Sequence, residues 1–183
     1  MHKYSTAEAE KITTNERIAM FKKFMGQYCP PDMLEFLMNR GFFTAPASTK
    51  YHGNYEGGLF DHSFEVAHQL VHYTGLLGLE WSNPRSPFIV GMFHDLCKLD
   101  AYQKTDAGYA YTDSDSFTGH GEKSVLVLSQ IMRLTEEEVY CIRYHMGAYE
   151  KDEWAYYDRA IRKYPNVLWT HTADMAASKI VGI

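Results

Sequence analysis

The chain has little of what would place it in a membrane, outside the cell or along nucleic acid. Its 183 residues include three cysteines, Cys29, Cys97 and Cys141, an odd number with no CxxC spacing. That argues against a disulfide framework. No apolar run approaches the ~18 residues that a membrane span requires. The opening MHKYSTAEAEKITTNER is polar and lacks the apolar centre of a signal peptide. Positive charge is not in excess. Eighteen Lys and Arg against 23 Asp and Glu give a formal net charge of −5, which excludes a general electrostatic grip on nucleic acid. A small anionic substrate stays open, since a few local cations or metal ions hold one. The expectation is a reduced, soluble, cytoplasmic protein.

The remaining composition is that of a globular domain, with 45% hydrophobic and 22% charged residues, which excludes disorder and low-complexity architecture. A chain of this length buries a core without disulfides or structural metals. Metal ligands, where they occur, therefore serve chemistry. The pattern is all-α, with no repeats and no strand-rich region. Ile18, Phe21 and Met25 have helical spacing within 14–27. Pro30-Pro31 breaks the chain, and Asp32 is placed to cap a short helix that ends at Gly41. A loop fills 42–58. Further helices are expected from about Leu59 to Leu77, from Ser86-Pro87 to about Lys98, over 120–132, from Thr135 through His145, over 152–163, and from Pro165 to Ile180. Thr135 and Glu138 form the pattern of a capping box. The polar stretch 100–118 reads as a loop with a short hairpin around Asp106-Ala107-Gly108.

The strongest local signal is FHDLCKL, with His94 and Asp95 adjacent at the end of an apolar helix. An Asp in such surroundings is costly unless it is paired or binds a metal. The dipeptide alone is a weak signal, but four other sites accompany it. His62 lies in GGLFDHS, His120 in GHGEKS and His145 in RYHMG, and Asp174 follows in HTADMAAS. Most of these sit near a helix end or a glycine. Helix ends can meet at one point while the apolar shafts pack around it.

The order His62, His94-Asp95, His120, His145, Asp174 resembles the HD superfamily of metal-dependent phosphohydrolases. The resemblance covers about residues 49–183, with 1–48 as a helical N-terminal extension to a compact HD-type helical bundle. GGLFDHS and HDLCK look like the subgroup whose patterns read GGLLxHS and HDxxK, which includes exoribonuclease-like members. The lead-in ASTKYHGNYEGGLFDHS is similar to that subgroup as well. The resemblance implies a first metal held by His62, His94 and Asp174, and a second held by His120 and His145, with Asp95 bridging. Two divalent transition ions are implied, drawn from Fe, Mn, Zn, Co or Ni, because mixed imidazole and carboxylate ligation suits these metals. The implied reaction is cleavage of a phosphate ester, a nucleotide or a phosphodiester, by metal-activated hydroxide. Lys98 and Asp95 are the expected catalytic residues. Lys98, Arg143, Lys50 and His52 are the candidates for substrate binding.

Other readings stand beside this one. The same scaffold could trim single-stranded nucleic acid ends in the manner of a 3'-5' exonuclease. It could also be a non-catalytic module that binds a nucleotide, or a dinuclear iron oxygenase. His68 and His72 are rotated ~120° and ~80° from His62 on a helix, which makes them packing or surface residues. His171 shares a face with Asp174 and is either a hydrogen-bond donor to a ligand or an ordinary core residue. Tyr102, Tyr109, Tyr111 and Phe117 form either a stacking platform for a base or simple loop packing. Glu122 and Lys123 read as a solvated pair, with Lys123 also within possible reach of an anion. Glu136 to Glu138 favour a helix dipole and carry no chemistry.

Overall fold

A computed structural model describes residues 6–112, 119–148 and 153–183. Helix makes up 61% of the chain and the sheet has two strands, so the expected all-α class holds at that level. After a single turn, α1 (Thr6–Ala9), helix α2 (Thr14–Met25) opens with a capping box. The Thr13 amide donates to Glu16 Oε2 at 2.8 Å and the Glu16 amide to Thr13 Oγ1 at 3.3 Å. Its inner face buries Phe21 and Met25. Helix α3 (Met33–Asn39) follows, burying Met33 and Leu37. Asp32 does not cap it: its backbone is already helical and its side chain makes no capping bond.

Helix α4 (Gly58–Leu77) is the centre of the molecule, with α5 (Ser86–Phe93) against one flank and α9 (Asn166–Ala176) against another. The contact with α5 is close because Gly91 faces Ala67. A Cβ on Gly91 would lie 2.3 Å from the Ala67 Cα. Helix α5 stops at Phe93, five residues before the expected end, and a 3-10 turn over Leu96–Asp100 follows. The reason is local. The His94 ring takes the Gly91 carbonyl at 2.8 Å, the acceptor that the Asp95 amide would need to extend the helix. The hairpin appears as expected, with β1 (Tyr102–Thr105) paired antiparallel to β2 (Gly108–Tyr111).

Helices α6 (His120–Ser129), α7 (Glu136–Arg143) and α8 (Trp154–Lys163) complete the bundle. The Thr135–Glu138 capping box forms, with bonds of 2.7 and 3.1 Å. Glu137 and Glu138 are buried and do more than favour the dipole. Glu138 accepts two bonds from Arg85 and one from Ser86, and Glu137 accepts from the Ser82 amide and from Asn166. The α4–α5 connection is thereby fastened to α7 and α9. No helix among the described residues is long and apolar enough to cross a membrane.

One core runs through all of this. Phe21, Phe42 and Phe43 from the N-terminal segment meet Phe60 of α4 and Phe93 of α5, with ring centroids 5.4–6.5 Å apart. Phe21, Met25, Met33, Leu37, Phe42 and Phe43 thus belong to the same core as the helices that carry the motifs. A polar clamp adds to it. Buried Arg17 donates to both oxygens of Asp61 at 2.9 and 2.8 Å, to the Ile12 carbonyl at 2.6 Å and to the Ala9 carbonyl at 3.0 Å. Its guanidinium fills the space beside Gly57, where a Cβ would lie 2.3 Å from Cζ. Removing one partner of a buried pair strands the other. Arg17→Ala should therefore cost about 3–5 kcal/mol, read as a lower urea midpoint at unchanged slope. The apolar double replacement Arg17→Met with Asp61→Leu should recover much of that loss. A loss under about 1 kcal/mol would show that the clamp acts as an exposed pair.

Candidate metal centre

Four helix segments deliver side chains to one buried point. His62 lies one turn into α4, His94 and Asp95 directly follow α5, His145 sits two residues past the end of α7, and Asp174 comes from α9. All five are buried. Each imidazole is held through Nδ1 by a backbone carbonyl: His62 by Ile183 at 2.9 Å, His94 by Gly91 at 2.8 Å, and His145 by Ile142 at 2.8 Å. A carbonyl only accepts, so Nδ1 carries the hydrogen and Nε2 of each neutral ring presents a bare lone pair.

Those lone pairs converge. His62 Nε2 lies 3.3 Å from His94 Nε2, 3.2 Å from Asp174 Oδ1 and 3.6 Å from Asp95 Oδ2. His94 Nε2 is 3.5 Å from Asp95 Oδ2, and His145 Nε2 is 3.4 Å from Asp95 Oδ1. His145 Nε2 is buried and makes no hydrogen bond. Three imidazole lone pairs and two carboxylates facing one another in a buried cluster repel unless positive charge lies among them, and the Lys98 ammonium reaches only Asp95. The donor set, the tethered rings and the orphaned His145 nitrogen all fit a divalent transition metal. Two overlapping triads have ligand atoms within 4.8 Å of one another: His62, His94 and Asp95, and His94, His145 and Asp174.

Burial and the charges within the cluster shift its titrating groups in different directions. Burial works against the Asp95 carboxylate, but the Lys98 ammonium and the neighbouring imidazoles outweigh it and hold the carboxyl well below the usual range. Asp174 behaves likewise, with His62 overcoming the effect of burial. His94 is pushed down to about 4, first by burial. For His145, burial is outweighed by Asp95, and its pKa is raised. Lys98 Nζ sits 2.7 Å from Asp95 Oδ2.

The other candidates are placed as follows. His120 begins α6, is exposed and points Nδ1 at Cys97 Sγ at 3.4 Å; it belongs to neither triad. His145, expected as its partner at a second metal, lies with the other four residues. Arg143 pairs with Glu122 and stacks over the Tyr144 ring at 4.7 Å. Glu122 and Lys123 are therefore not a pair with each other, and Lys123 bonds Asp100 at 2.9 Å. Lys50 is exposed on the loop before α4. His52 is half-buried, with its ring centroid 4.7 Å from that of His62. Burial lowers its pKa to about 4. It also lines a cleft of about 400 Å³ with Tyr51, Asn54 and Gly182.

His171 bonds the His145 backbone carbonyl through Nδ1 at 2.8 Å, so it braces a ligand-bearing turn and not a carboxylate. His68 stacks near Phe24 and Phe64, away from the centre. Tyr102 and Tyr111 form a cross-strand pair at 5.0 Å; Phe117 lies outside the described residues. One contributor had no sequence signal at all, the Ile183 carbonyl that holds His62.

No protein-family model matches the chain, and neither does any curated protein or solved structure.

Saturation with Zn2+ or Mn2+ should stabilise the protein by about 2.7 kcal/mol at a hundredfold excess over Kd. A raised unfolding midpoint is the readout. Asp95→Asn should abolish the shift while leaving helix content intact. An unchanged midpoint in the wild-type chain would remove the metal from the account.

Proposed function

We propose that the chain is a metal-dependent phosphohydrolase of the HD type, acting on a small phosphate ester such as a nucleotide or a phosphodiester. The observation that carries this reading is the convergence of three tethered imidazoles and two carboxylates, with an ammonium 2.7 Å from Asp95. His62, His94, Asp95 and Asp174 would hold a divalent ion, and His145, which forms a triad with His94 and Asp174, would be a further ligand. Bound there, such an ion lowers the pKa of water toward ~7 and neutralises phosphoryl oxygens.

The chain's own groups supply the rest. Lys98 holds Asp95 ionised and has N–H donors left for a phosphate oxygen, where charge builds in the transition state. His52, kept neutral, and the adjoining cleft offer space for the part of the substrate beyond the phosphate. The buried walls around the five residues keep bulk water away and so strengthen each of these interactions. The three free thiols, of which Cys97 and Cys141 are buried, fit a reducing cytoplasm.

We take the five buried residues as the site of one ion, with His120, whose Nδ1 lies 3.4 Å from Cys97 Sγ, as the candidate ligand of a second. Metal content per chain, on protein purified without chelator or tag, separates the two cases. A ratio near one that is insensitive to His120→Ala is expected. A ratio near two that falls on His120→Ala would restore the dinuclear form.

Activity is tested on p-nitrophenyl phosphate, bis(p-nitrophenyl) phosphate and nucleoside monophosphates with the metal-loaded protein. Lys98→Ala should keep the metal and lose about 10²-fold in kcat, the scale of removing one transition-state donor. Absence of turnover on every ester, with metal bound, would leave a binding module. Activity on an oligonucleotide that falls with salt, without activity on mononucleotides, would favour the exonuclease reading.

A further inference from the structure

The three imidazoles of the centre are not tethered in the same way. His94 and His145 each bond the carbonyl three residues behind them, at a helix terminus where that carbonyl is released from the helical ladder. These tethers form whenever α5 and α7 end. His62 lies inside α4, where the neighbouring carbonyls are taken by the helix itself. Its ring has no local acceptor. The acceptor comes from 121 residues away, the carbonyl of Ile183 at 2.9 Å.

A specific backbone path brings it there. Helix α9 widens into a π turn over Ala177–Val181, and Gly182 then takes a left-handed conformation, φ 83° and ψ 20°. The amides of Gly182 and Ile183 both donate to the Ala177 carbonyl, at 2.9 and 3.2 Å. The Ile183 side chain is buried and anchors the turn. The same element presents Asp174 Oδ1 at 3.2 Å from His62 Nε2. The end of α9 therefore meets the His62 ring on both sides: a main-chain oxygen holds Nδ1–H, and the Asp174 carboxylate lies beside the bare Nε2 as a second donor toward a metal.

We infer that Gly182–Ile183 is a positioning element of the metal centre, whose carbonyl fixes the tautomer and orientation of His62. The inference rests on the metal reading above. Partners of this kind, bonded to the far nitrogen of a ligating histidine, typically change metal affinity by about 10–100-fold when removed.

The test is Zn2+ affinity, measured by competition with a chromophoric chelator, so that no turnover is needed. A chain ending at Val181 loses the carbonyl and should bind about 10–100-fold more weakly. Ile183→Val keeps both the main-chain oxygen and most of the buried anchor and should bind Zn2+ as the wild type does, because the partner of Nδ1 is unchanged. Gly182→Pro keeps the chain length but cannot adopt a positive φ and lacks the amide donated to Ala177. It should weaken binding in the same direction as the truncation, and it decides the matter if the shortened chain does not fold. Far-UV circular dichroism checks the fold of each. Wild-type affinity in both the truncated chain and Gly182→Pro overturns the inference while leaving the metal centre intact. Failure of the wild-type chain to bind Zn2+ overturns the metal reading, and this inference falls with it.

Discussion

Three imidazoles held by backbone carbonyls and two carboxylates share one dry point, and most of the fold is arranged around that arrangement. Each Nδ1 bond commits a ring to a single tautomer, so His62, His94 and His145 direct unprotonated Nε2 atoms toward Asp95 and Asp174. Taking such a set out of water is unfavourable without a compensating positive charge. Lys98 supplies part of it by bonding one oxygen of Asp95. The remaining lone pairs are placed so that they could hold a cation.

The neighbouring structure maintains this point from several sides. Gly91 lets α5 lie against Ala67, which brings His94 to His62. Glu137 and Glu138 tie α7 to Asn166 of α9 and to Arg85, which carries His145 and Asp174 into register. Arg17 clamps Asp61, the residue immediately before His62. A residue of the N-terminal segment thus steadies the first turn of the helix that bears a ligand. These supports are remote from the chemistry, yet the site depends on them because its ligands come from separate helices.

Much of this was legible in the sequence. The helical class, the Thr135 capping box and the hairpin followed from local pattern. His62, His94, Asp95, His145 and Asp174 stood out because ionisable groups recurred beside helix ends and glycines. Long-range partners were not legible. Nothing in the spacing pairs Asp61 with Arg17, or Glu137 with Asn166, since such bonds depend on how the helices cross. The early end of α5 was hidden because its apolar periodicity continues through Leu96, which masks the local bond of the His94 ring to the Gly91 carbonyl. His120 was read as a ligand by resemblance, and its contact with Cys97 through Nδ1 is a partner that spacing did not show. The Ile183 tether carried no signal, because a backbone carbonyl has no residue type to read.

The most direct test of the central claim is the tautomeric state of the three histidines, from nitrogen-15 chemical shifts recorded with and without Zn2+. The account predicts His62, His94 and His145 protonated at Nδ1 in the neutral state. On addition of Zn2+, the Nε2 resonances of His62 and His94 should move while their Nδ1 protons remain. Protonation at Nε2 instead, or shifts at these two residues that ignore the metal, would contradict it.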